Sequence, residues 1–310
     1  MIGIGAIASY LPEKSRDNFK LAAHFGEDET FVRQRLGGIS LPVLDHGLET
    51  SDMAVLAIER LLDKTGLDKD AIQCLVVCTQ NPDGRGLPHT AAIVQQKANL
   101  PQHTAAFDVS LGCSGYVYGL NIVKGFMENA GLTTGVFVTA DPYSKIVDPE
   151  DRNTVMLFGD AAAATLLTVD NPIYHLGKSV YGTDGQGANH LANKGGRLHM
   201  NGRQVFNFAA TQVPASITAL LHADGITLED VDQFIIHQGS RYIVETLSRR
   251  MGLDESKVPM RMEMTGNTVS SSIPLILQES INEKAIHKIL IAGFGVGWSW
   301  GAMMLSRIKK

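Results

Sequence analysis

The segment FDVSLGCSGYVYGL, residues 107–120, places a cysteine where an apolar run meets a helical pattern. Most free cysteines are small buried core residues. A thiol at the beginning of a helix, however, meets unpaired N–H groups and the positive end of the helix dipole, which lower its pKa. The neighbours Gly112, Ser114 and Gly115 leave room for a thioester to approach. Cys113 is therefore a candidate nucleophile, and a structural core residue is the alternative.

The composition is typical of a soluble globular protein and excludes several function classes. The chain has 310 residues, of which 44% are hydrophobic and 19% charged, with a formal net charge of -5. This length suffices for one large domain or two fused halves around a sizeable core. The negative charge and the lack of basic runs argue against a nucleic-acid partner. The longest apolar runs have the length of strands, so we expect no membrane partner.

The other two cysteines, Cys74 and Cys78, lie four residues apart in CLVVC. On a strand this spacing directs both side chains to the same face, and we expect both in the core. Three cysteines are an odd number without zinc-ligand spacing, and the histidines form no His-x-x-x-His pair, so no metal site is predicted. The opening MIGIGAIASYLPEKS lacks the basic start of a signal peptide. We therefore expect a reducing, cytoplasmic location.

Strand-like and helix-like segments alternate along the chain, which predicts an α/β architecture. The second half also repeats the first, which predicts a duplicated unit rather than a solenoid of short repeats. We place the halves at 1–170, with the cysteine, and 171–310, with the histidine and asparagine described below. Chance similarity between short apolar strands is the alternative. The matching segments are DAIQCLVV (70–77) with DVDQFIIH (230–237), LLDKTG (61–66) with LLHADG (220–225), and GVFVTAD (135–141) with KILIAGFG (288–295).

Two polar residues of the second half are further candidates for chemistry. His237 ends the apolar strand QFIIH, and α/β enzymes place ligands at the ends of strands. Asn267 lies in TGNTVSSSIPLIL, a glycine-flanked loop that enters an apolar helix. The alternatives are a structural histidine and an asparagine that caps a turn.

Taken in order, GCSGYVYGL, HQGS and GNTVSSSIPL resemble the Cys-His-Asn set of the β-ketoacyl-ACP synthase III family, in the thiolase superfamily. DPEDRNTVMLFGDAAAATLL resembles the family's Asp-Arg segment and the FGDGAGA strand that follows it. AGFGVGWSWGAM, residues 292–303, resembles its C-terminal glycine-rich loop. The resemblance covers nearly the whole chain. It implies duplicated βαβαβ halves packed as a five-layered αβαβα structure.

The resemblance also implies an activity, the decarboxylative condensation of an acyl-CoA primer with malonyl-ACP to give a 3-oxoacyl-ACP. Cys113 would carry the acyl group as a thioester. His237 and Asn267 would donate hydrogen bonds to the enolate that forms when CO2 leaves. The backbone N–H groups of Cys113 and Val296 would form a second oxyanion hole. Acyl-CoA is a substrate in this reaction, and no cofactor or metal is implied.

The resemblance also implies a homodimer. It further implies binding roles for the residues of this chain that match the family's motifs. Leu87, in GLPHTAA, would reach the acyl pocket across the dimer interface. It stands where several members carry phenylalanine, so we hypothesise a medium-chain acyl primer. The implied carrier-protein docking residues are Arg241, Arg249 and Arg250. The implied residues for CoA and substrate are Phe31, Arg35, Arg152, Gly202, Phe206, Gly239 and Ser240.

The chain departs from the family pattern in HQGSRY, where members commonly have HQANxR. Tyr242 stands in place of an arginine, and Asn207 in place of a frequent lysine. These departures predict a member outside the housekeeping type and leave the carrier protein open. The alternatives are an acyltransferase of a specialised or salvage pathway, a non-catalytic scaffold subunit and a cysteine hydrolase. A biosynthetic thiolase would need a second cysteine in the C-terminal loop, and an elongating synthase would need histidine at Asn267.

Overall fold

The computed structural model describes residues 1–309, which form thirteen strands and nine α-helices. The strands are β1 Gly3–Tyr10, β2 Ser15–Asp17, β3 Ser40–Pro42, β4 Cys74–Cys78, β5 Ala105–Val109, β6 Thr134–Ala140, β7 Ala162–Thr168, β8 Tyr174–Thr183, β9 Leu191–Lys194, β10 Arg197–Met200, β11 Gln233–Ile236, β12 Lys288–Gly295 and β13 Ser299–Arg307. The helices are α1 Asn18–His24, α2 Glu29–Phe31, α3 Thr50–Thr65, α4 Thr90–Lys97, α5 Gly115–Ala130, α6 Arg152–Val155, α7 Gly202–Asp224, α8 Arg241–Met251 and α9 Ser272–Ser280. Among residues 1–309, no helix combines the length and the hydropathy that a bilayer crossing requires.

Nine strands form one hydrogen-bonded sheet in the order β11-β12-β13-β8-β1-β7-β6-β4-β5. In its first part, β7 is antiparallel to both β1 and β6, and β4 runs parallel to β6 and β5. In its second part, β13 is antiparallel to both β8 and β12, and β11 runs parallel to β12. The two parts meet where β1 pairs with β8. The strand order of the first part is thus repeated in the second, without a counterpart of β5 among the described residues.

The repeat extends to the helices that precede the matching strands. Helices α3 and α7 both end at a glycine in the left-handed conformation, Gly66 with φ 66° and Gly225 with φ 66°. This ending satisfies the last carbonyl groups of a helix, and glycine adopts it without steric cost. The predicted duplication is confirmed in the strand order. The division at residue 170 stays a prediction.

The strands of the second part direct alternate side chains into two different cores, as the period of two requires. Phe234 and Ile236 of β11 pack in one cluster with residues of α7 and α8. Ile235, between them, packs on the opposite side in a cluster with residues of α5 and α9. The second part of the sheet is therefore covered by helices on both faces.

The first part of the sheet is covered on both faces too. Leu75 and Val77 of β4 pack with residues of α3 and α4. Cys74 and Cys78 point the other way, toward α5 and α9, and both are fully buried. The predicted common face for these two cysteines is confirmed. The layers follow the order α3 and α4, first part of the sheet, α5 and α9, second part of the sheet, α7 and α8, which is the expected αβαβα arrangement.

Helix α5 approaches the sheet so closely that one of its positions has no room for a side chain. A Cβ atom on Gly119 would lie 2.0 Å from Cζ of the buried Phe137 on β6. We expect Gly119→Ala to lower the free energy of unfolding by about 1–3 kcal/mol, the usual range for an overpacked core. The control is Gly125→Ala on the exposed face of the same helix, where a Cβ atom meets nothing within 4 Å.

The control variant should be stabilised by about 0.5–1 kcal/mol, because alanine loses less backbone entropy than glycine in a helix. Urea denaturation of the two variants measures the difference. Equal midpoints for Gly119→Ala and Gly125→Ala would contradict the packing of α5 described above.

Candidate active site

Cys113 lies between β5 and α5, and its side chain is buried with 5% of its surface exposed. Strand β12, from the other half of the chain, passes directly beside it. A Cβ atom on Gly293 would lie 2.6 Å from the Cys113 carbonyl oxygen, and one on Gly295 would lie 2.8 Å from the Cys113 sulfur. These glycines of the C-terminal glycine-rich loop are therefore needed for space around the thiol.

The surroundings of Cys113 raise its pKa rather than lower it. Burial raises the pKa of the thiol to about 12, and the charge of Asp141 adds to this rise, while hydrogen bonds with the backbone of Val296 and of Cys113 itself oppose it. The lowering expected at a helix start is wrong, because desolvation of the thiolate outweighs the favourable backbone groups. The thiol is protonated at neutral pH and needs a base. The two backbone groups near its sulfur are those that the resemblance assigns to an oxyanion hole.

His237 follows β11 and is buried, with 2% of its surface exposed. Its Nδ1 lies 2.7 Å from the hydroxyl oxygen of Ser272, and the Phe294 ring stands edge-on to the imidazole. Burial lowers the pKa of His237 to about 3, against an opposing hydrogen bond with the backbone of Val269. The imidazole is therefore neutral at physiological pH. Because Nδ1 is occupied by Ser272, Nε2 is the nitrogen available to a reactant.

Asn267 precedes α9, and both ends of its side-chain amide are held. Its Oδ1 accepts a hydrogen bond of 2.9 Å from the backbone N–H of Val269, and its Nδ2 donates to the Gly239 carbonyl at 3.3 Å. Val269 adopts a left-handed conformation with φ 53°. This conformation is rare for a β-branched residue and is found where surrounding structure enforces it. The amide orientation of Asn267 thus depends on a strained neighbour.

One cavity of about 590 Å³ brings the three candidate catalytic residues together. Cys113, His237 and Asn267 all line it, although they come from distant parts of the chain. The sequence alone gives no distances between them, and the fold brings them to one surface. The residues expected to bind CoA and substrate line the same cavity: Phe31, Arg35, Arg152, Gly202, Phe206, Gly239 and Ser240.

Several of these residues form a cationic and aromatic part of the cavity wall. The Arg152 guanidinium lies 5.6 Å from the centre of the Phe31 ring, and that of Arg35 lies 4.5 Å from the centre of the Tyr242 ring. The Phe206 ring stacks on the Tyr242 ring, with the ring centres 5.3 Å apart. Arg152 also pairs with Glu27. Guanidinium groups bind phosphates and aromatic rings stack on bases, so this wall suits a nucleotide-containing ligand.

Leu87 does not line the cavity of its own chain. Its side chain is 87% exposed in the loop between β4 and α4. The structure of a single chain therefore leaves its role in an acyl pocket as a prediction that depends on a dimer.

The three arginines assigned to carrier docking do not form one patch. Arg241 and Arg249 line a second groove with Arg35, beside the main cavity. Arg241 lies 3.5 Å from the Glu245 carboxylate there. Arg250 instead donates a hydrogen bond of 3.1 Å to the Ala210 carbonyl of α7. The groove contains two of the three residues.

Two buried aromatic residues of the cavity wall were not predicted from the sequence. Tyr143 and Phe158 line the cavity, with ring centres 4.9 Å apart and 3% and 2% of their surfaces exposed. The Tyr143 hydroxyl donates to the Gln80 side-chain oxygen at 3.0 Å. One available signal was the position of Tyr143 just after strand β6, since the ends of such strands carry ligands in α/β proteins.

Comparison with known proteins identifies a family that the chain resembles along most of its length. Residues 107–185 match the model of the family 3-oxoacyl-[acyl-carrier-protein (ACP)] synthase III, and residues 221–307 match the model of its C-terminal part. The chain is 36% identical over 306 residues to a β-ketoacyl-[acyl-carrier-protein] synthase III of Geobacillus kaustophilus, covering 98% of both chains.

Solved structures agree along almost the full length. A crystal structure of a 3-oxoacyl-(acyl-carrier-protein) synthase III superposes with a TM-score of 0.91 at 32% identity, covering 98% of this chain and 99% of that one. A β-ketoacyl-[acyl carrier protein] synthase III of Thermus thermophilus superposes with a TM-score of 0.90 at 31% identity, covering 98% of both chains. The chain belongs to the β-ketoacyl-ACP synthase III family.

Proposed function

We propose that this condensing enzyme joins an acyl group from acyl-CoA to the two-carbon unit of malonyl-ACP, with loss of CO2, to give a 3-oxoacyl-ACP. The observation that supports this most directly is the shared cavity of Cys113, His237 and Asn267 in a member of this family. A thiol, a neutral imidazole and a side-chain amide on one surface meet the needs of both halves of that reaction. Simple acyl transfer would need no group that stabilises an enolate.

In the first half, the acyl group moves from CoA to the enzyme. His237 takes the proton of the Cys113 thiol, and the thiolate attacks the thioester carbonyl. The backbone N–H groups of Cys113 and Val296 donate to the oxyanion that forms. The bond from carbon to the CoA sulfur then breaks, and the CoA thiolate takes the proton from His237. The Ser272 hydroxyl can donate to or accept from Nδ1, so it supports either neutral tautomer of the imidazole.

In the second half, malonyl-ACP occupies the cavity in place of CoA. The bond to its carboxylate breaks, CO2 leaves, and the electron pair forms an enolate. His237 Nε2–H and Asn267 Nδ2–H donate to the enolate oxygen. The enolate carbon attacks the acyl carbonyl on Cys113 and forms the new carbon–carbon bond. The Cys113 thiolate then leaves and takes up one proton from solvent, which regenerates the thiol.

The ligand contacts follow from the cavity wall. Phe31 would stack on the adenine of CoA, and Arg35 and Arg152 would pair with its phosphates. In the complex, a CoA phosphate would replace the Glu27 carboxylate as the partner of Arg152. The reaction itself uses acyl-CoA as a substrate and needs no additional cofactor. Free cysteines and thioester substrates together fit a cytoplasmic location.

Partner contacts are part of the same proposal. Arg241 and Arg249, in the groove beside the cavity, would attract an acidic carrier protein. For Arg250, which bonds to Ala210 of α7, the docking role rests on the resemblance alone. In a homodimer, the exposed Leu87 would reach the partner's acyl pocket. A leucine in place of phenylalanine there would admit a medium-chain primer.

A condensation assay with acetyl- or octanoyl-CoA and malonyl-ACP tests the proposed reaction. We expect a 3-oxoacyl-ACP by mass spectrometry, and none with Cys113→Ala. Asn267→Ala should slow condensation by about 10²–10³-fold, the usual effect of losing one oxyanion donor, while Cys113 still becomes acylated. Asn282→Ala, at an exposed position after α9, is the control. Wild-type condensation by Asn267→Ala, or free acid as the main product, would contradict the proposal.

The raised pKa of Cys113 predicts a specific pH dependence of its alkylation. Because the pKa is about 12, the thiolate fraction and the rate with iodoacetamide should rise about tenfold per pH unit between pH 7 and pH 10. Peptide mass spectrometry separates Cys113 from Cys74, which is fully buried and should label far more slowly in the folded protein. A rate that reaches a plateau below pH 9 would show that the thiol is activated in the free enzyme.

A further inference from the structure

Three consecutive buried serines follow Asn267, and each forms a hydrogen bond with a different residue. Ser272 contacts His237, as described above. The Ser271 hydroxyl lies 2.8 Å from that of Thr139 and donates to the Ala161 carbonyl at 3.2 Å. The Ser270 hydroxyl donates to the Asp141 carboxylate. The mechanism above uses the first of these contacts and leaves the bond between Ser270 and Asp141 without a role.

Asp141 is a fully buried carboxylate directly after strand β6. Its Oδ1 accepts a hydrogen bond of 2.8 Å from the backbone N–H of Gln80 and one of 3.3 Å from the Thr79 hydroxyl. Within residues 1–309 it has no cationic partner at salt-bridge distance. A buried charge is costly, and hydrogen bonds alone compensate this one. The Ser270 hydroxyl donates a hydrogen bond to the second carboxylate oxygen of Asp141, Oδ2.

Ser270 is also the residue next to the strained Val269. The N–H of Val269 holds Oδ1 of Asn267, and its backbone contacts His237. A left-handed valine persists only where its neighbours fix it. On one side it is fixed by Asn267, and on the other by the bond from Ser270 to Asp141. The orientation of the Asn267 amide therefore depends on this carboxylate.

Asp141 is also linked, through Gln80, to the segment that carries the nucleophile. Gln80, whose backbone it holds, lies against Gly112, where a Cβ atom would be 2.5 Å from the Gln80 side-chain oxygen. Gly112 directly precedes Cys113. Asp141 is thus hydrogen-bonded to the segment that packs against the nucleophile loop and to the segment that carries Asn267.

We propose that Asp141 is a positioning residue which, through Ser270, holds Val269 in its left-handed conformation and so orients the Asn267 amide for the enolate step. The inference rests on the proposed condensation, because it assigns Asp141 to one half of that reaction. Acylation of Cys113 uses the backbone N–H groups of Cys113 and Val296 and the imidazole of His237, which is held at Nδ1 by Ser272. Acylation does not use the Asn267 amide. Loss of the bond should therefore affect the two halves unequally.

The test is Ser270→Ala, with the two halves measured separately. Hydrogen bonds to charged groups are worth enough to expect a roughly 10- to 100-fold slower release of CO2 from malonyl-ACP per acylated Cys113. This loss should fall on kcat with the KM for malonyl-ACP unchanged. The rate of Cys113 acylation, followed by intact-protein mass spectrometry, should stay within about twofold of wild type, because its donors are elsewhere. Counting acylated sites corrects for any misfolded fraction.

The matched control is Ser280→Ala. Ser280 is also buried, and it donates to a carbonyl of its own helix, that of Ile276, at 3.3 Å. This control should leave both rates unchanged. A second variant, Asp141→Asn, keeps an acceptor for Gln80 but removes the charge, and it should show the same selective loss of CO2 release as Ser270→Ala.

Two results would overturn the positioning role. One is CO2 release at the wild-type rate per acylated site in Ser270→Ala. The other is an equal fall in acylation and CO2 release, which indicates a structural role only. Failure of the proposed function gives a different result, since the wild-type protein itself would then release no CO2 from malonyl-ACP.

Discussion

The contact between Cys113 and strand β12 is the constraint on which the site depends. The nucleophile belongs to the first half of the chain, and the strand beside it belongs to the second. Gly293 and Gly295 allow the strand to approach within contact distance of the cysteine backbone and sulfur. This approach brings the N–H of Val296 to the thiol and closes the cavity around it. Duplication of the α/β unit thus places the parts of the catalytic set on facing halves.

Burial then determines the electrostatics of the site. It raises the pKa of Cys113 and lowers that of His237, so the free enzyme holds a neutral thiol and a neutral imidazole. Such a pair carries no stored charge, and catalysis depends on donors that are already oriented. The left-handed backbone of Val269, a conformation that costs about 1–3 kcal/mol, is part of that orientation. The surrounding hydrogen bonds of Asn267 and Ser270 offset the cost.

Much of the fold could be predicted from local patterns, because strand periodicity and the repeated segments reflect the layers directly. The three candidate residues Cys113, His237 and Asn267 also follow from motifs at the ends of strands and the starts of helices. The upward shift of the Cys113 pKa could not be predicted from the sequence, because it depends on desolvation by a strand about 180 residues away. The place of Tyr143 in the cavity wall depends on packing between elements that no sequence motif connects. The same is true of the hydrogen bond from Arg250 to α7.

Intact-protein mass spectrometry after incubation with acetyl-, butyryl-, octanoyl- and malonyl-CoA tests Cys113 as the acyl carrier most directly. We expect a mass gain equal to one acyl group, located on Cys113 and absent from Cys113→Ala. The donor that gives the largest gain also identifies the primer length. No adduct with any donor, or an adduct that persists in Cys113→Ala, would contradict the assignment of Cys113 as the acyl carrier.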